Sequence, residues 1–351
     1  MSNEVIFFGL FIIFILFILF ADLLLIGRNS HELKFREALI WSGVWISLGL
    51  IFFGFLWNYG YLIHGLDTAE AIKQKVEFNK HPISLTGDYT TDLSLYNHNL
   101  ALEYLTGYVL EYSLSIDNIF VIILIFSSFG IKKEHYKKVL FWGILGAIVM
   151  RFIFIFVAGE LIHNFEWVLY IFGAILILSG GKMLFSGSKK EEIDTQKHPV
   201  VRIVSKLFRV SKSEDDRFFI KVDKRNYITP LFIVLLIVEF SDLVFAVDSI
   251  PAIFSVTRDT YIVFFSNVFA IIGLRSLFFL VIRVVKLFRF LGYAISILLI
   301  FIGLKISLHS FTEEWGFTTV HSLIIVFAII SSGILLSVLI PDKDKAADIN
   351  D

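Results

Sequence analysis

Residues 104–129 read YLTGYVLEYSLSIDNIFVIILIFSSF, and within them only Glu111 and Asp117 carry charge. Such a stretch is long enough to cross a hydrocarbon core of about 30 Å as a helix. Comparable apolar segments recur along all 351 residues, of which 57% are hydrophobic and 18% charged. Soluble domains are about 45–50% apolar, so the hydropathy overrides the two soluble domains that length alone would suggest. A membrane barrel would instead show short segments of alternating polarity. The chain is therefore read as an all-α polytopic membrane protein.

Cysteine is absent, which excludes disulfides, thiolate metal sites and a cysteine nucleophile. The net charge of −1 argues against nucleic acid as a partner. The first apolar stretch follows MSNE, with no basic residue before it and no small-residue cleavage pattern after it. It is read as a retained helix rather than a signal peptide.

About nine spans are expected, near 5–26, 38–57, 104–129, 138–158, 166–185, 229–256, 261–282, 290–309 and 319–340. With the N-terminus outside, the inner segments hold 23 Lys and Arg residues and the outer ones only Lys73, Lys75, Lys80 and Arg258. That bias predicts an N-out, C-in topology. The expected divisions are two N-terminal spans (1–57), an extracytoplasmic loop (58–103), three spans (104–185), a basic cytoplasmic loop (186–228), three more spans (229–309), and a last span with its tail (310–351).

Charged residues inside the expected spans, leaving aside Lys138 and Glu166 at their first positions, are Asp22, Glu111, Asp117, Glu239, Asp242 and Asp248, with Arg151, Lys182, Arg275 and Lys305. Each costs about 2.5–3.5 kcal/mol at mid-bilayer on insertion scales, so as a set they read as a polar pathway rather than lipid-facing charges. Their order repeats. EYSLSIDNI (111–119) matches DLVFAVDSI (242–250), aligning Glu111 with Asp242, Asp117 with Asp248 and Asn118 with Ser249. GILGAIVMR (143–151) matches NVFAIIGLR (267–275) at Arg151 and Arg275. YIFGAILILSGGK (170–182) matches YAISILLIFIGLK (293–305), aligning Gly180 with Gly303 and Lys182 with Lys305. Three spans per copy is an odd number, so the second copy is expected upside down, an arrangement common in secondary transporters.

On a helix Glu111, Ser115 and Asn118 share a face, with Asp117 about 120° away, while Glu239 and Asp242 sit at i, i+3. Pro251 is expected to kink or break its helix near Asp248. Carboxylates, amide, hydroxyl and freed carbonyls make a hard oxygen set suited to Mg²⁺, Ca²⁺ or Mn²⁺. Arg151 and Arg275 read as ion-pair partners of these acids. Lys182 and Lys305 read as snorkelling near span ends, or as standing in for a cation or carrying protons. Paired carboxylates also serve glycoside hydrolysis, but here they lie mid-span. Neither long loop holds a Ser-His-Asp order, a phosphate loop or an HExxH pattern, so no enzyme is expected. The outer loop reads as solvated, its acids able to draw cations to the mouth. RFFIKVDKRNYIT (217–229) in the inner loop predicts a small hairpin, and the loop's basic patch suits anionic lipid.

LTGYVLEYSLSIDNIFV, VLFWGILGAIVMRFIFIF, TPLFIVLLIVEFSDLVFAVDSIPAIF and SNVFAIIGLRSLFFL together resemble the TerC family of integral membrane proteins, in its Alx-like branch. ADLLLIGRNSHELKFREALIWSGVW resembles that branch's N-terminal spans, so Asp22 also matches a motif acid. Tyr112 stands where the usual pattern has Lys, and the segment around 79–99 looks longer than is typical. The resemblance implies export of Mn²⁺ across the bacterial inner membrane. Its metal-site residues would be Asp117, Glu111 and Asn118 from one repeat and Asp248, Asp242, Glu239 and Ser249 from the other. Mn²⁺ would be the substrate, with no further cofactor. Other family members are linked to metal loading of secreted enzymes and to the secretion machinery, which leaves an adaptor or an exporter of another divalent ion such as Ca²⁺ as alternatives.

Overall fold

A computed structural model of the chain describes residues 3–27, 35–186, 199–211, 217–222, 225–284, 290–308 and 318–340. It is almost wholly helical, as hydrocarbon requires of a chain whose backbone must satisfy its own hydrogen bonds. The helices are α1 (Asn3–Gly27), α2 (Phe35–Tyr59), α3 (Ala69–Asn79), α4 (Tyr89–Ser128), α5 (Lys133–Asn164) and α6 (Trp167–Ser186), then α7 (Pro199–Leu207), α8 (Pro230–Phe254), α9 (Thr260–Ile272), α10 (Leu274–Val284), α11 (Leu291–Ser307) and α12 (Thr319–Leu339). The expected hairpin is present: β1 (Phe219–Val222) pairs antiparallel with β2 (Arg225–Ile228), Val222 opposite Arg225.

Among the described residues seven helices are long and apolar enough to cross a membrane, and eight if α9 and α10 form one bent span; α11 is a shorter apolar helix. Each of the nine expected spans thus falls on a helix, but length and composition select seven or eight.

Two expectations are corrected. Pro251 does not break its helix at Asp248; α8 continues to Phe254. The proline forfeits one hydrogen bond, to the Val247 carbonyl a turn back, without interrupting the helix. The bend lies in the next span instead, 45° between α9 and α10, with Gly273 between them. Nor is the segment 58–103 simply a solvated loop. It holds a short 3₁₀ turn (Gly60–Leu62), α3 and the first turns of α4. Asn79, His81, Asp92, Asn97, Asn99 and Glu103 within it are all buried. At about 1.5 Å per residue, the 40 residues of α4 run about 60 Å, twice the hydrocarbon core. Its N-terminal part therefore projects beyond the bilayer as part of a folded cap. Asp88 caps that end, accepting a hydrogen bond from Thr91 N.

Phenylalanine does much of the packing. Phe8 and Phe11 of α1 meet Phe264 and Phe265 of α9, and Phe52 of α2 joins them, the Phe11 and Phe265 rings lying 4.3 Å apart at their centroids. Helices α4, α5 and α6 pack on α8, α9 and α11 respectively, and crosswise α4 packs on α9 and α5 on α8. The α6–α11 contact is the most extensive. A Cβ on Gly180 would lie 2.7 Å from the Ser296 carbonyl oxygen, and one on Gly303 would lie 2.7 Å from that of Gly173. Small residues let the backbones of membrane helices meet in this way.

Candidate functional site

Arg151 of α5 is completely buried. A guanidinium stays charged in any protein environment, so it requires counter-charges and acceptors around its five donors. The fold supplies them from three other helices. Nη1 donates to Glu111 Oε1 of α4 and to Asn267 Oδ1 of α9, and lies 3.4 Å from Ser249 Oγ of α8. The other edge forks onto Asp242 of α8, with Nε 3.3 Å from Oδ2 and Nη2 3.0 Å from Oδ1. Ser115 Oγ, one turn beyond Glu111, donates to Glu111 Oε1 at 3.3 Å. Glu111 and Asp242, matched by the repeat, therefore meet on one arginine.

The centre is not saturated: Glu111 Oε2 and Asn267 Nδ2 are buried without a hydrogen-bond partner, as is Asn118 Nδ2 two turns along α4 from Glu111. Such groups each cost about 1–3 kcal/mol when left unsatisfied and are few in native proteins. Glu239 lies three residues before Asp242 and half-buried, its carboxylate against the α5 backbone. A Cβ on Gly146 would fall 2.0 Å from Glu239 Oε1.

The other expected residues stand differently. Asp248 is turned to α6, accepting a hydrogen bond from Ser179 Oγ at 2.8 Å. The side chains of Asp117 and Asp22 lie outside the described residues. Arg275 is buried at the start of α10. Lys182 is exposed on the last turns of α6. Lys305 Nζ donates to the Ser255 carbonyl at 2.8 Å. Among the described residues, no three His, Asp or Glu side chains gather closely enough to hold a metal ion. The described oxygen donors converge on a guanidinium, so a cation entering there would compete with Arg151 or draw on further acids.

Asn267 was not singled out from the sequence. The available signal is that SN interrupts the apolar run of 261–272 eight residues before Arg275.

These features define a class: a multi-pass helical membrane protein with a buried acid–arginine–acid centre where four helices meet. The chain belongs to the TerC family of integral membrane proteins, whose profile matches residues 96–345. It is 40% identical over 292 residues to a candidate membrane-bound redox modulator named Alx from Escherichia coli, covering 83% of this chain and 82% of that protein. It is 38% identical over 318 residues to the Salmonella typhi protein of the same name, covering 90% and 88%. An uncharacterized membrane protein of Myxococcus xanthus is 36% identical over 293 residues, covering 83% and 80%. No solved structure matches.

Proposed function

We propose that the protein is a secondary transporter exporting Mn²⁺ across the bacterial inner membrane, with its N-terminus outside and C-terminus inside. One observation carries the reading. Glu111 and Asp242 come from different membrane helices, sit at matched places in the repeat, and converge on a charge centre deep within the bundle. Intramembrane ionisable residues of this kind mark ion pathways. Arg151 holds the acids together as a resident positive charge. A divalent cation offers the same acids more charge and also takes up unpartnered oxygens such as Glu111 Oε2. Glu239, and Asp117 and Asp248 six residues along from the central acids, supply further ligands as the cation moves. The donors are oxygens, which suits Mn²⁺ better than softer metals.

Inverted three-helix repeats are part of this proposal. Three matched helix pairs and both crosswise pairs are in contact. Gly180 meets Ser296 while Gly303 meets Gly173, and the alignment makes Gly180 equivalent to Gly303 and Gly173 to Ser296. A contact that reproduces itself on exchange of its partners is what a two-fold axis generates. The Lys and Arg bias supports the orientation.

A manganese-sensitive strain tests the function: Asp117→Ala and Asp248→Ala are expected to abolish protection. Full protection by both variants would remove them from the site. Purified protein in liposomes separates the alternatives. Mn²⁺ flux supports a transporter, whereas partner capture from the secretion machinery without flux supports an adaptor that supplies metal to secreted enzymes. Competition by Ca²⁺ reports selectivity. The redox role in the relatives' name cannot use thiols here, because these 351 residues contain no cysteine.

A further inference from the structure

A second polar centre lies in the cap, apart from Arg151. His64 bridges Glu4 of α1 and Asp259 ahead of α9, with Nδ1 2.6 Å from Glu4 Oε1 and Nε2 2.8 Å from Asp259 Oδ2. Both carboxylates are committed as acceptors elsewhere. Glu4 Oε1 accepts from Lys75 Nζ at 2.7 Å, and Asp259 accepts from Asn79 Nδ2 at 3.0 Å and from the N–H groups of Tyr261 and Ile262. Ionised carboxylates only accept hydrogen bonds. Both His64 nitrogens must therefore carry protons, making the ring an imidazolium. Nearby, His81 Nδ1 lies 2.8 Å from Glu103 Oε1, and Glu103 Oε2 accepts from Thr257 Oγ1 at 2.6 Å.

These bonds tie α1, α3 and the cap to the α8–α9 connection, and tie α4 to that same connection. Adjoining them is a cavity of about 80 Å³ whose lining includes Asn79, Glu103, Ser255, Thr257, Lys305 and Thr319. Glu103 and Glu111 are eight residues apart on α4, about 12 Å along its axis. The ties therefore span the place where the matched helices α4 and α8 would part to open the pathway at the cap end. His64, Lys75, Asn79 and His81 all precede the residues matched by the family profile.

We propose that this imidazolium clamp is a latch closing the cap end of the pathway, and that removing the His64 proton releases it. The pathway itself rests on the transport reading. The charged and titratable groups facing the clamp are Glu4 from α1, Lys75 from α3, His81 from the cap, Tyr96 and Glu103 from α4, Asp259 ahead of α9 and Tyr261 on it, with Lys305 across the cavity from Glu103. Within the clamp proper, Glu4, Glu103 and Asp259 balance Lys75, His64 and His81. Losing the ring protons leaves buried negative charge uncompensated, which favours separation.

Burial alone would lower the His64 value, but Asp259 and Glu4 outweigh it and hold it above the ordinary one; His81 is raised in the same sense by Glu103. For Asp259 burial acts upward, and His64, Lys75 and His81 overcome it, keeping the carboxyl well below the usual range. A raised histidine contributes fully below about pH 6.5 and is lost as pH climbs through its folded value. A depressed aspartate contributes above about pH 3.9 and is lost only on strong acidification. The latch is therefore fully held below about pH 6.5 and is released on the cap side as pH climbs through the raised His64 value.

The absence of cysteine makes the test direct. Ser266 is fully buried and faces Gly107, one turn along α4 from Glu103. In the full-length chain, Ser266→Cys is treated from the cap side with a membrane-impermeant methanethiosulfonate. Its rate is divided by that of Asp67→Cys, an exposed position, which cancels thiol ionisation. The ratio is expected to be low and flat to about pH 6.5 and then to rise, by at most about tenfold per pH unit for each proton released. His64→Gln in the same background should label fast at every pH. A pH-independent ratio in the chain with native His64 overturns the latch, and that series needs no variant at 64. Equal ratios with and without His64→Gln overturn it as well. A rising ratio in protein that carries no Mn²⁺ flux leaves the latch standing and removes the transport reading.

Discussion

Replacing Arg151 with Met would keep an unbranched side chain at that position and remove the charge and all five donors. Glu111, fully buried, and Asp242, with 15% of its side chain exposed, would then face each other without compensation. Breaking a buried ion pair by removing one partner costs about 3–5 kcal/mol. An unfolding entropy of about 2.1 cal/mol/K per residue over the chain gives about 0.7 kcal/mol/K, so the Tm should fall by about 4–7 °C. A cation that binds between the two acids reverses part of this. At a concentration 100 times its Kd it returns about 2.7 kcal/mol, or about 4 °C. The assay is thermal unfolding of purified protein in detergent, with Mn²⁺ titrated against parent, Arg151→Met, and Arg151→Met with Glu111→Gln. The double variant should recover stability and lose the Mn²⁺ response, a coupling that the double-mutant cycle reads directly. An unchanged Tm in Arg151→Met would sink the claim that the arginine holds the acids. A lowered Tm that ignores Mn²⁺ would sink the claim that they form a cation site.

Gly146→Ala should separate function from stability. The new Cβ displaces the Glu239 carboxylate, the far end of a flexible side chain, so Tm should change little while Mn²⁺ flux in liposomes falls. Flux equal to the parent's would remove Glu239 from the pathway. Gly303→Ala meets backbone atoms, Gly173 O at 2.7 Å and Ile177 N at 3.0 Å, and should cost about 1–3 kcal/mol as overpacking does. Gly181→Ala, with nothing within 4 Å, is its control. Equal melting temperatures for these two variants would contradict the packing described for α6 and α11.

The helical architecture was legible because crossing a bilayer leaves few backbone solutions, and apolar runs such as 104–129 announce them. The alignment of Glu111 with Asp242 marked both as candidates but did not foretell that Asp248, expected at the same site, turns to Ser179 of α6; the pairing of Arg151 with nearby acids followed from the cost of a lone charge in hydrocarbon. Asn267 was not, because an asparagine in an apolar run signals no particular partner. The cap was hidden for a different reason. His64 and Asp259 are separated by 195 positions, and nothing local distinguishes an acid that will be buried by a distant segment from one that stays in water. Pro251 marked a disturbance near Asp248, yet the helix runs on to Phe254, because one missing hydrogen bond to Val247 does not by itself end a helix.

The self-matching contact between α6 and α11 also limits how the chain can change over generations. Gly180 meets Ser296 and Gly303 meets Gly173, each setting a helix glycine against the other helix's backbone. A larger residue at Gly180 or Gly303 cannot be absorbed by trimming its neighbour, since the neighbouring atom is a carbonyl oxygen with no side chain to shorten. Growth at either glycine is therefore closed off by backbone, whatever changes among the side chains around it.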